Sequence, residues 1–149
     1  MYDASADALV DVAPIHFKNA AGDHLYVPDD SGKPIMDKPC RVFLYGPGSE
    51  QFAMVEQRQT TRALQRAQDN DNKITLASPE ERAAEAAQDM ADLTSHFENF
   101  GYQGGELTPS RFKAFYADKK MVHFHRQVTK ALAQVGNWKP GTAGTSQTA

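Results

Sequence analysis

The sequence predicts an α+β fold: a small N-terminal β-hairpin or three-stranded sheet, followed by a mostly α-helical bundle of three to four helices. Three observations carry this. Residues 15–45 hold short alternating or β-branched runs parted by Gly, Asp and Pro turns. From residue 49 the apolar spacing lengthens to the helical three and four. Ser78-Pro79 and Thr108-Pro109 supply helix starts within that second part. Residues 1–14 read as a flexible arm, 15–138 as one domain (15–45 β-rich, 49–138 helical), and 139–149 as a flexible tail.

The elements follow in chain order. Ile15-His16-Phe17-Lys18 alternates, the turn Asn19-Ala20-Ala21-Gly22-Asp23 follows, and His24-Leu25-Tyr26-Val27 returns as a hairpin partner. Residues 28–38 read as a second loop around Asp29-Asp30-Ser31-Gly32. Arg41-Val42-Phe43-Leu44-Tyr45 is a strand stopped by Gly46-Pro47-Gly48. Ser49 caps a helix to about Gln68 with a thin apolar stripe, which predicts a surface helix. Asp69-Asn70-Asp71-Asn72-Lys73 breaks it, and Ile74-Thr75-Leu76 is an extended link.

Ser78-Pro79-Glu80-Glu81 is a capping box with proline at the first helical position. Ala83, Ala86, Met90, Leu93, Phe97 and Phe100 then recur at helical steps up to a stop at Gly101. A third helix starts at Pro109 with Phe112, Phe115 and Tyr116 on one side, and Asp118-Lys119-Lys120 marks a kink. Met121, Phe124, Val128, Ala131, Leu132 and Val135 continue a helical stripe to Gly136.

At 149 residues the chain is long enough for one real core. Its 40% hydrophobic and 23% charged residues are ordinary globular usage. Mean hydropathy is −0.59, and no apolar run approaches the ~20 residues of a membrane span. The first ten residues are acidic and lack Lys and Arg, unlike a secretory signal. The single cysteine, Cys40, excludes an internal disulfide framework and reads as a small buried residue. Net charge is −3, but acids dominate residues 69–99 and bases dominate 106–139. That asymmetry means either complementary charge between segments or subunits, or two solvated helix faces.

The search for chemistry removes most candidates. There is no G-x-S-x-G and no H-E-x-x-H. His123 and His125 are ~200° apart on a helix, so they do not chelate together, and His16 and His24 face each other across the hairpin without a third ligand. The Asp69-to-Lys73 run opens like a calcium loop, but Ile74 stands where that loop needs glycine. Gly46-Pro47-Gly48-Ser49 lacks the phosphate-loop lysine. The stretch from Arg111 to Lys130 interleaves bases and aromatics, yet its aromatics sit at core spacing and the overall pI is about 5.9. No catalytic, metal or cofactor site is expected. What remains is packing surface. Met90, Leu93, Phe97 and Phe100 form either core or a partner-binding stripe, and Trp138 either folds back or anchors a partner.

The order of elements has a resemblance. F-K-N-A-A-G-D, then D-D-S-G-K-P-I, then R-V-F-L-Y-G-P-G-S-E-Q-F running into a polar helix, resembles the tail assembly chaperones of long-tailed, siphovirus-type bacteriophages. The Ser-Pro-Glu-Glu cap, F-E-N-F-G-Y and V-G-N-W fit the later part, and the likeness spans residues 15–138. It implies a non-enzymatic late protein of the host bacterial cytoplasm. Such a protein binds the tape measure protein and helps recruit tail tube subunits during tail morphogenesis. It also implies that the segment from Gly141 is where a frameshifted extension would attach. A structural virion component for head–tail joining or tail completion is the rival expectation, and a small DNA-binding regulator a weaker one. Self-association is also open.

Overall fold

In the computed structural model, which describes residues 1–69 and 77–142, the chain is α+β and is organised around β4 (Arg41–Tyr45). This strand lies in the middle of a three-stranded antiparallel sheet of order β1-β4-β5. Its neighbours are β1 (Val12–His16) and β5 (Thr94–Glu98). β4 therefore forms where expected, but its two partners do not. β1 starts at Val12, inside the stretch read as a free arm, and pairs with β4 rather than with residues 24–27. The expected turn is present: the Asn19 N–H donates to Asp23 O at 2.8 Å, Gly22 takes φ 92°, and a single bridge joins Lys18 to His24. Residues 24–27 contribute instead to β2 (Tyr26–Pro28), which pairs with β3 (Pro34–Pro39). The second loop is thus shorter than expected, closed by Asp29, whose carboxylate accepts from the Ser31 and Lys33 amides. Proline occurs in β1 (Pro14), β2 (Pro28) and β3 (Pro34 and Pro39).

The largest correction concerns β5. The helix begun at Ser78 is α2 (Pro79–Asp92), and it ends at Leu93 rather than at Phe100. The Ser78 hydroxyl accepts the Glu81 amide at 3.1 Å, the first half of the capping box. Beyond Leu93 the chain turns into β5, where Thr94, Ser95, His96 and Phe97 are weak helix formers. The open side of β4 needs backbone partners, and a buried unpaired N–H or C=O is costly. Pairing with β4 outweighs a helical continuation. Gly101 is accordingly not a helix stop. It lies in β6 (Gly101–Tyr102), which pairs with β7 (Gly105–Glu106), and a Cβ there would sit 2.7 Å from Gly105 O.

The helical part comprises α1 (Glu50–Asp69), α2, α3 (Phe112–Ala117) and α4 (Val122–Leu132). Ser49 caps α1 as expected, accepting the Phe52 amide at 3.2 Å. Pro109 opens a short 3-10 turn before α3 rather than an α-helix directly. Asp118 makes the expected break before α4 by accepting the Lys120 amide. The expected break and link over 70–76, and the tail over 143–149, lie outside the described residues.

One face of the sheet carries Ala13, Ile15, Val42, Leu44 and Phe97, and these pack into the core with Ala87 of α2, Phe112, Phe115 and Tyr116 of α3, and Phe124, Val128 and Ala131 of α4. Phe17 is fully buried among them, in ring contact with Phe97, Phe100 and Phe124. Trp138 closes the core. It ends a 3-10 turn (Val135–Trp138), is 0% exposed, and donates its indole N–H to Leu44 O at 3.0 Å. Its own carbonyl accepts the Val10 amide at 2.9 Å, so the start of the chain is tied to it.

Gly46 is shaped by this contact, because a Cβ there would lie 2.4 Å from Trp138 Cδ1. Truncating a buried tryptophan typically costs ~3–5 kcal/mol, a large part of a domain's ~5–15. We expect Trp138→Ala to lose about that much in urea denaturation. Gly46→Ala should be destabilised as well, although it removes no atom. A Gly46→Ala midpoint equal to wild type would show that the indole moves freely.

Candidate functional site

The five residues read as a possible partner-binding set are brought close to the core, not displayed together. Trp138 is fully buried, Leu93 is 5% exposed, and Met90, Phe97 and Phe100 are partly buried against the core cluster. They do not form one helix face, because Met90 belongs to α2 and Phe97 to β5. Phe97 and Phe100 nevertheless reach one surface feature. With Tyr102 and the backbone of Gly101, Gly104 and Gly105 they line an open trough of about 550 Å³ rimmed by Gln103 and Glu106. Asn99 and Gln103 at its margin take positive φ, 56° and 52°. Tyr102 is held by its hydroxyl, which donates to Asp118 Oδ2 at 2.5 Å, and by Arg111, which donates to its carbonyl at 2.6 Å. The trough has an aromatic floor, a wall of glycine backbone and a polar margin of Asn99, Gln103 and Glu106, so it offers both apolar and hydrogen-bonding surface.

The second feature is the fastening of α1. Of its twenty residues only Val55 is buried. The helix is held to α2 by charge. Arg58 contacts Asp89 and Asp92, both at 2.6 Å. Arg62 contacts Asp89 at 2.6 Å and Glu85 at 3.8 Å, and Arg66 reaches Glu85. Rising numbers on α1 meet falling numbers on α2, so the two helices run antiparallel. Asp89 is the hub: it is 6% exposed and also accepts from Gln59 at 3.0 Å. Burial alone would raise its pKa, but the hydrogen bonds from Arg62, Gln59 and Arg58 outweigh that and hold it below the usual carboxylate value. Three acids of residues 69–99, Glu85, Asp89 and Asp92, thus find their complement in α1, and among the described residues no ion pair joins that stretch to the basic stretch 106–139. The i, i+4, i+8 spacing of Arg58, Arg62 and Arg66 was the available signal.

The titratable groups outside the clasp are mostly structural. Cys40 is buried, its Sγ contacts Asn99 O at 3.1 Å, and burial pushes its thiol pKa up. His16 and His24 do meet across the turn, with rings stacked at 4.5 Å, and His16 Nε2 bonds Leu25 O at 2.7 Å. Arg41 pairs with Glu98 at 2.6 Å on the outer sheet face. Ser95 Oγ lies 2.9 Å from His96 Nδ1, but that imidazole is stacked on Phe43, burial lowers its pKa, and its buried Nε2 has no partner among the described residues. Among the described residues no carboxylate hydrogen-bonds it as a base would need. Among the described residues, no three His, Cys, Asp or Glu side chains converge as a metal site, and no helix is long and apolar enough to cross a membrane. Comparison of the chain with protein-family models, curated proteins and solved structures gave no match.

The clasp has a pH signature. Asp89 titrates below its unfolded value of ~3.9, so its contribution is full above that pH and is lost as pH falls through the lower folded value. Removing one partner of a buried pair costs ~3–5 kcal/mol, whereas a partly exposed pair is worth ~1 or less. Asp89→Ala is therefore expected to cost several times more than Arg66→Gln in denaturant titration. It should also flatten the acid limb of the stability profile below about pH 4. Equal costs for the two variants would mean that Asp89 is not the hub.

Proposed function

We propose that this chain is a non-enzymatic assembly chaperone for phage tails, which binds the tape measure protein and helps recruit tail tube subunits in the host cytoplasm. The observation that carries the reading is the aromatic trough over Phe97, Phe100 and Tyr102, which offers a docking place for an apolar anchor at the edge of the core. It supports client binding because a chaperone releases its client. A shallow, open contact with few anchors gives the weak, reversible binding this needs. The reading also draws on the resemblance of the sequence over residues 15–138 to tail assembly chaperones.

The test is co-expression of the tagged chain with the products of its neighbouring genes. A long tape measure protein should co-purify with it, and finished particles should lack it. Glu106 is exposed at the trough rim, so Glu106→Trp should fill the trough and weaken client capture at least ~10-fold while leaving the melting temperature unchanged. Recovery of the chain in stoichiometric amount from purified particles would replace this reading with that of a structural joining or completion protein.

A further inference from the structure

The outward face of α1 carries a seam that the fold does not use. With Arg58, Arg62 and Arg66 turned to α2, an adjoining side of the helix, about a third of a turn round, presents Glu50, Met54, Gln57, Thr61, Leu64 and Gln68, all exposed. Met54 is 68% exposed and Leu64 60%. The steps between these six positions are 4, 3, 4, 3 and 4, the alternation of a coiled-coil seam. At ~1.5 Å per residue the seam runs ~27 Å along the helix.

We propose that this seam is a homodimer interface, on which α1 of a second copy packs antiparallel about a two-fold axis at the level of Gln59. Under that axis Met54 meets the partner's Leu64, Gln57 meets the partner's Thr61, and Glu50 meets the partner's Gln68. Each pair occurs twice, as an isologous interface requires. Apolar meets apolar, amide meets hydroxyl, and the single seam charge meets an amide. Other arrangements are worse. A parallel, in-register pair sets Glu50 against Glu50. A slip of one heptad in either direction sets Met54 against Gln57 or Leu64 against Thr61. The sequence is therefore self-complementary in one register, which is why a second copy is the occupant. Six residues a side fall well short of the ~20–30 of a stable interface, so the dimer exchanges with monomer. The seam shares no residue with the aromatic trough, and dimerisation stands or falls independently of client binding.

Sedimentation equilibrium over a wide concentration range tests this. The wild-type chain should show a concentration-dependent monomer–dimer equilibrium, and Met54→Lys/Leu64→Lys should weaken it more than ~10-fold with an unchanged circular dichroism spectrum. The register is read separately by cross-linking in a Cys40→Ala background. Oxidising a mixture of Gln57→Cys and Thr61→Cys chains should give more disulfide dimer than either chain alone, because the two positions face each other only in the antiparallel register. The cross-linking arm introduces no charge, so it stands even if the lysine variant folds poorly. A wild-type chain that stays monomeric at every concentration overturns the proposal. So does a lysine variant that dimerises like wild type, or a single-cysteine chain that links to itself as readily as the mixture does.

Discussion

The indole of Trp138 sits where three separate parts of the chain must agree. Its N–H holds the carbonyl of Leu44 on the central strand, its ring fills the space that Gly46 leaves open, and its carbonyl receives the amide of Val10. The strand, the turn that launches α1, and the segment leading into β1 are thereby fixed to one side chain. The core residues of α3 and α4 pack against the sheet face that this plug completes. Because Gly46 and Trp138 share a van der Waals boundary, the direction in which α1 leaves the sheet is set from the far end of the chain.

α1 itself is governed by different physics. A helix with one buried residue is not stabilised by apolar area. Its position comes from arginines that converge on a nearly buried carboxylate, where each hydrogen bond lies in a medium of lower dielectric than water. Turning its cations toward α2 leaves only the carboxylates Glu50, Glu56 and Asp69 as charges on the remaining surface of the helix. The electrostatic fastening and the cation-free outer seam are two results of one pattern in the sequence.

Local signals in the sequence were reliable where the cause was local. The Ser49 and Ser78 caps, the Asp29 turn, the Asp118 break and the strand over residues 41–45 all formed where their chemistry pointed. The failures were long-range. Met90, Leu93, Phe97 and Phe100 satisfy a helical period equally well whether the last two lie on a helix or not, and only the unpaired side of β4 decides for a strand. The pairing of β1 with β4 skips a nearer candidate at residues 24–27, which pattern alone cannot reveal. For the candidate surface, the stripe became core lining with only Phe97 and Phe100 reaching the trough, while the α1 face was hidden by its thin apolar content.

The prolines of the sheets have a consequence for how this chain fails. Pro14 lies in an edge strand of the main sheet, and Pro28, Pro34 and Pro39 punctuate both strands of the smaller one. Each removes a backbone donor from a position where another molecule would add a strand. The opposite edge, β5, is interrupted by a register shift against Phe43 and Leu44. Open-ended strand addition, the route to fibrous aggregates, is thus blunted on both sides of the main sheet. Contacts between molecules are left to helix faces and side-chain troughs, which saturate at a defined stoichiometry.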